Sequence, residues 1–139
     1  MPSIDRADWH YDADNFPDDL PMENGATHIA MFVRWAIERG LFVDDATPPE
    51  MIEAVRTGKM SARDFVLNEL DGKLWPSMLT DECASFAEAR WNDFIEEYAG
   101  IPFEGDTLYH VEDTEENYRL IAAALDKLWS HHASGRQTT

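Results

Sequence analysis

Basic residues and cysteine are both scarce in this chain of 139 residues. The single cysteine, Cys83, excludes an internal disulfide and indicates a reducing compartment or no redox requirement. Only 11 Lys and Arg stand against 28 Asp and Glu, so the formal charge at pH 7 is -17. Nucleic-acid phosphates and anionic lipid surfaces would repel such a molecule. The composition therefore predicts no nucleic-acid and no membrane partner, and it fits either a basic partner or simple solubility.

Long apolar runs are absent as well. No stretch approaches the roughly 18 apolar residues of a membrane-spanning helix. The N-terminus has neither the basic leader nor the apolar segment that would mark a signal peptide. We therefore expect a cytoplasmic protein. Its length suits one domain, 1–139, which is large enough to bury a core without metal or disulfide support.

Recognisable catalytic and cofactor motifs are missing too. The sequence contains no phosphate-binding loop, dinucleotide fingerprint or nucleophile elbow. Its adjacent carboxylates would point about 100° apart on a helix, so they cannot share a substrate proton in the usual way. Acids at 12, 14, 18 and 23 fall at calcium-loop positions, but Pro17 replaces the required glycine and Phe16 cannot act as a ligand. The sequence thus predicts no catalytic residue, no metal site and no cofactor.

The fold prediction centres on the segment 25–40, in which apolar residues recur with helical spacing. One wide face of this helix carries His28, Ile29, Phe32, Val33, Trp35, Ala36 and Ile37. Thr27, Arg34 and Glu38 form a narrow polar strip, and Arg34 and Glu38 are spaced to pair along it. Such a helix must be covered on most sides. We therefore predict a mainly α protein, a compact single-domain helical bundle around this central buried helix.

Capping residues place the other helices. Helix starts are predicted at Thr47, Ser61, Thr80 and Thr114. The longest helix should span 81–99, and the last should run from 114 to about 129. Residues 1–24 should form an extended acidic strap, and residues 101–111 a short strand or an extended crossing. Residues 131–139 should form a flexible tail, so the chain should contain at most one short strand.

His28 and Cys83 are the candidate reactive side chains. We interpret His28 as a core histidine that bonds to the backbone or to a carboxylate of the N-terminal strap, and its burial would disfavour the charged ring. Cys83 should pack in the core, because the carboxylates of Asp81 and Glu82 oppose a thiolate there. An alternative is a small-ligand or metal-binding protein, or an enzyme, with a pocket formed by His28, His10 and nearby carboxylates.

The surplus carboxylates are the main functional signal. Glu96 and Glu97 lie near the C-terminus of a predicted helix, where negative charge opposes the helix dipole and costs roughly a few tenths of a kcal/mol each. Stability therefore does not explain their presence. We predict that a basic partner contacts the following carboxylates: Asp12, Asp14, Asp18, Asp19, Glu23, Glu96, Glu97, Glu112, Asp113, Glu115 and Glu116.

Several motifs resemble an uncharacterised bacterial family of small acidic proteins. They are Asp8-Trp9-His10-Tyr11, Phe16-Pro17, Leu20-Pro21, the segment 25–32 with Trp35, and Asp71-Gly72-Lys73. Such proteins resemble those found beside polymorphic or contact-dependent toxins, as candidate immunity proteins. The resemblance implies a non-catalytic protein that neutralises a cognate toxin by direct binding and occlusion. A homo-oligomeric or housekeeping interaction protein is the remaining alternative.

Overall fold

The computed structural model describes residues 3–7, 10, 22–101 and 108–137. Within them lie five α-helices: α1 (Thr27–Glu38), α2 (Pro49–Arg56), α3 (Ala62–Glu69), α4 (Asp81–Ala99) and α5 (Glu115–Gln137). Two short strands, β1 (Asp5–Arg6) and β2 (Lys73–Leu74), pair antiparallel. Three 3₁₀ turns complete the described structure: Met22–Ala26, Pro76–Met78 and Leu108–His110. The mainly α class predicted from the sequence is confirmed.

Helix α1 is the centre of the core, because it contacts all four other α-helices. Every residue of its predicted apolar face is buried. Arg34 Nε and Glu38 Oε2 lie 3.1 Å apart, which confirms the predicted pair. Thr27 of the polar strip is buried as well, since it is 1 % exposed and its hydroxyl accepts a hydrogen bond from Arg63 Nη1 at 3.3 Å. The four neighbouring helices therefore bury α1 beyond its apolar face and cover part of its polar strip.

Three of the four predicted helix caps form as expected. The hydroxyls of Ser61, Thr80 and Thr114 accept hydrogen bonds from the backbone N–H three residues later, at 3.0, 3.2 and 3.1 Å. Thr47 behaves differently, because its hydroxyl donates to Asp44 and no side chain caps α2. Pro48 takes the capping position of α2 instead, and Pro49 opens the first turn, where a missing N–H has no cost.

Two segments differ from the sequence-based expectation. Residues 108–110 form a 3₁₀ turn instead of a strand or an extended crossing. Helix α5 continues through the predicted flexible tail to Gln137. The expectation of at most one short strand was wrong, because β1 and β2 pair in a small sheet. Each strand has only two residues, which is too short for an alternating pattern to predict it. Among the described residues no helix combines the length and the apolar content needed to cross a bilayer.

Candidate functional site

The carboxylate of Asp5 is the centre of a buried polar cluster. Pairing of β1 with β2 sets Asp5 opposite Leu74 and turns its side chain inward, where the residue is 4 % exposed. His10 Nε2 lies 2.8 Å from Asp5 Oδ1, and His28 Nε2 lies 2.8 Å from Oδ2. Trp91 Nε1 donates a third hydrogen bond to Oδ2 at 3.1 Å. One carboxylate therefore joins the N-terminal segment, α1 and α4.

The two histidines also lie against each other. Their Nε2 atoms are 3.1 Å apart, and the rings meet edge to face with centroids separated by 4.4 Å. Ligand atoms of Asp5, His10 and His28 all lie within 4.8 Å of one another. We call these three residues the Asp5–His10–His28 centre.

Burial and hydrogen bonding fix the charges of this centre. Burial acts to raise the pKa of Asp5, but the hydrogen bonds from His10 and His28 outweigh it and hold the pKa well below its usual value. Complete burial lowers the pKa of His28, and the neighbouring Asp5 offsets only part of this effect. At neutral pH the centre therefore contains an ionised carboxylate beside a neutral imidazole, which is the form of histidine that binds metals.

Tyr109 orients His10 from the outer side. Its hydroxyl lies 2.7 Å from His10 Nδ1, and Asn24 Nδ2 donates to the Tyr109 carbonyl at 3.0 Å. The 3₁₀ turn before α1 thereby positions the turn that carries Tyr109. His28 Nδ1 differs, because it is buried without a hydrogen-bond partner among the described residues. The side chain of His10 is 19 % exposed, so solvent reaches the centre from its side.

The sequence-based interpretation of His28 is confirmed in its main point. His28 is fully buried and bonds to a carboxylate of the N-terminal segment. Sequence reasoning did not identify Asp5, Trp91 or Tyr109 as members of the site. Asp5 is one of seven acids in the first 24 residues, and no local pattern distinguishes it. Only the pairing of β1 with the distant β2 brings it to His28.

Seven of the eleven predicted partner-binding carboxylates lie in the described part of the chain, and two of these seven form ion pairs within the molecule. Asp12, Asp14, Asp18 and Asp19 lie outside the described residues, and Glu23 lies in the turn Met22–Ala26. Glu115 pairs with Arg34 at 2.7 Å, and an Asp113 oxygen lies 3.7 Å from Arg63 Nε. Those two carboxylates therefore connect elements within the chain.

Four of the predicted carboxylates are more available to a partner. Glu96 and Glu97 at the end of α4, and Glu112 and Glu116 around the start of α5, are exposed. Their side chains form no ion pair with any other described residue.

Cys83 is buried, and burial together with the charge of Glu82 raises the pKa of its thiol to about 12, so it is not a nucleophile at neutral pH.

A family model for a domain of unknown function, DUF7832, matches residues 3–111. The chain belongs to the DUF7832 family. All five residues of the polar cluster, from Asp5 to Tyr109, lie inside the region that defines DUF7832. The chain matches none of the curated proteins and none of the solved structures with which it was compared. The chemistry of this DUF7832 protein therefore has to be argued from its own residues.

Proposed function

We propose that this DUF7832 protein binds a divalent transition-metal ion, Zn²⁺ foremost, at the Asp5–His10–His28 centre. The convergence of two imidazole nitrogens and a carboxylate, all within 4.8 Å of one another, carries the proposal. Two nitrogens and one oxygen are a donor set that zinc and neighbouring transition metals accept. The proposal departs from the sequence-based prediction of no metal site and adopts the alternative of a His28/His10 site.

The contact between the two imidazoles supports a cation at this point. If both Nε2 atoms carry hydrogens that point at Asp5, two N–H dipoles lie side by side at 3.1 Å and repel each other. A cation on which both nitrogens converge replaces this repulsion with two attractive bonds. Tetrahedral zinc with bonds of about 2.0–2.1 Å separates its nitrogen ligands by about 3.3 Å. The nitrogens therefore lie close to the separation that zinc requires.

Outer hydrogen bonds around the centre match those of known metal sites. When His10 Nε2 binds a metal, its Nδ1–H donates to the Tyr109 hydroxyl, 2.7 Å away. Trp91 Nε1 orients the carboxylate through its bond to Asp5 Oδ2. Such partners fix the rotamer and tautomer of the ligands. A metal at this centre would fasten β1 and residue 10 to the central helix α1, so its binding energy would also stabilise the fold.

Isothermal titration of chelator-treated protein with Zn²⁺ tests this proposal. We expect one ion per chain, and loss of binding in His10→Gln and in His28→Gln. His131→Gln is the matched control, because His131 is an exposed histidine on α5 far along the chain from the centre. Tyr109→Phe removes only the outer hydrogen bond and should weaken binding about tenfold or more. Circular dichroism verifies that each variant is folded.

Cobalt supplies an independent measurement. Co²⁺ at this centre should give visible d–d absorption that His10→Gln abolishes and His131→Gln preserves. His10 is partly exposed, so its substitution is expected to leave the fold intact even if His28→Gln does not fold. Folded wild-type protein that binds neither ion, or that binds as well without His10, would overturn the proposal.

A second candidate function is non-catalytic binding of a basic protein, with a toxin-neutralising immunity protein as its most specific form. The exposed carboxylates without internal ion pairs favour it: Glu96, Glu97, Glu112 and Glu116. Together with the net charge of -17 they would attract a basic surface and accelerate association. Replacing these four residues with Gln should slow association with a basic partner protein and reduce its salt dependence. An unchanged association rate at low salt would contradict this second function.

A further inference from the structure

An acidic groove with apolar lining residues runs between the end of α4 and the first half of α5. Its lining includes Glu96, Glu97, Ile101, Leu120, Ile121 and Ala124, and its volume is about 380 Å³. We call it the Leu120 groove. Leu120 is 50 % exposed, and among the described residues only Val43 is another large hydrophobic residue with such exposure. An aliphatic side chain in this position is available to cover another apolar group.

The charged residues that line the groove are all acidic. Glu96 and Glu97 contribute two exposed carboxylates to its lining, which includes no Lys or Arg. They lie in the last turn of α4, where the helix dipole adds further negative potential. Glu116 precedes Leu120 by one turn of α5. Arg119 is adjacent in sequence, but its guanidinium lies 3.9 Å from Glu115.

We infer that the Leu120 groove is the docking surface for a basic amphipathic segment of a protein partner. An aliphatic side chain of the segment would cover Leu120, and flanking Lys or Arg side chains would pair with Glu96 and Glu97. A second copy of this chain fits poorly, because two molecules each carrying -17 repel one another. The inference rests on the second candidate function, a basic protein partner, and is independent of the metal proposal.

The structure contains a matched control surface for the experiment. A second groove includes Val43, which is 46 % exposed, together with the carboxylates of Asp45 and Glu88. The pair Leu120→Gln and Glu96→Gln/Glu97→Gln can therefore be compared with Val43→Gln and Asp45→Asn/Glu88→Gln. Each comparison removes the same apolar class and the same charge from a different place.

The probe is a fluorescein-labelled synthetic helical peptide built from Leu and Lys, with Leu on one face, titrated at low salt and followed by anisotropy. We expect Leu120→Gln and Glu96→Gln/Glu97→Gln each to weaken its binding about fivefold or more. The two control variants should bind like the wild type. A Lys-only peptide of equal charge should bind more weakly and should not respond to Leu120→Gln.

The outcomes separate the docking surface from the broader function. Equal loss of affinity in the groove variants and the control variants would overturn the Leu120 groove but leave a basic partner, bound by the overall charge, in place. Absence of peptide binding at low salt, with basic proteins also unbound, would overturn both. Binding that the control variants weaken and the Leu120 variants do not would move the docking surface to the second groove and overturn this inference.

Discussion

At the scale of single residues, Asp5 and His28 depend on each other. A buried histidine needs a partner for its ring N–H, and a buried carboxylate needs donors that outweigh its desolvation. Asp5 obtains three donors in His10, His28 and Trp91. Removing either partner leaves a buried polar group unsatisfied, so these residues act as one unit and their substitutions should not be additive.

Cys83 gives a prediction about thiol reactivity. Because burial raises the pKa of its thiol to about 12, almost no thiolate exists at pH 8 in the folded protein. We expect iodoacetamide to alkylate the native protein very slowly and the urea-unfolded protein rapidly, as followed by mass spectrometry. The rate on native protein should rise with pH until the chain unfolds. Equal rates for native and unfolded protein at pH 8 would contradict this assignment.

Phe32 is the predicted stability determinant of the aromatic core. Its ring centroid lies 5.1 Å from the ring centroid of Trp91 and 5.7 Å from that of Phe94, and both pairs meet edge to face. Phe32 is 1 % exposed. Phe32→Ala should lower the free energy of unfolding by about 3–5 kcal/mol because it leaves a cavity. Leu120→Ala, at an exposed position, should change it by about 0.5 kcal/mol or less. Urea unfolding curves compare the two, and similar midpoints would contradict the assigned core.

At the scale of elements, helix α1 is held by contacts on both its apolar and its polar side. Arg34 links it to α5, because the guanidinium forms two hydrogen bonds to Glu115 at 2.7 and 3.0 Å. The same group lies 3.8 Å from the ring centroid of Tyr118, and Nε reaches Glu38. The polar strip predicted from the sequence is thus an internal link between helices.

The turn before β2 gives a prediction about the attachment of the N-terminal segment. Gly72 has a φ of +68°, and a Cβ there would lie 3.3 Å from the Ala7 Cβ. Gly58 has a φ of +81° but open space around it. The substitution Gly58→Ala therefore measures only the cost of the left-handed backbone conformation, about 1–2 kcal/mol. Gly72→Ala should lower the free energy of unfolding more than Gly58→Ala, because it also displaces Ala7.

Thermal unfolding of the two glycine variants measures this difference. Ala7 follows β1, so Gly72→Ala should also disturb Asp5 and weaken Zn²⁺ binding, whereas Gly58→Ala should not. Equal destabilisation by both substitutions would show that the contact between Gly72 and Ala7 does not constrain the N-terminal segment.

At the scale of the whole molecule, the net charge opposes compactness. Repulsion among like charges at -17 destabilises the folded state, and salt screens it with a Debye length of about 8 Å at 0.15 M. The surface ion pairs that salt also weakens contribute only about 0–1 kcal/mol each. We expect the melting temperature to rise from low to physiological NaCl concentration. A melting temperature that falls would show that the ion pairs, such as Arg39 with Asp126 at 2.7 Å, outweigh the repulsion.

Local periodicity and capping chemistry in the sequence predicted most of the helices, although the Thr47 cap and the end of α5 were wrong. The apolar face of α1, the caps at Ser61, Thr80 and Thr114, and the span 81–99 of α4 all depend on residues within one or two turns of one another. The mainly α class followed from them, and so did the burial of His28 on the apolar face of α1. These features depend on residues that are close in sequence, so the amino-acid sequence alone predicts them.

Tertiary structure alone decided which carboxylate meets His28 and which acids remain exposed. Asp5 reaches the site only because β1 pairs with β2, and Glu115 is engaged only because α5 packs beside Arg34. Contacts between distant segments have no signature in the spacing of nearby residues. The Asp5–His10–His28 centre and the Leu120 groove are both made of such contacts, so each became visible only when the chain was folded.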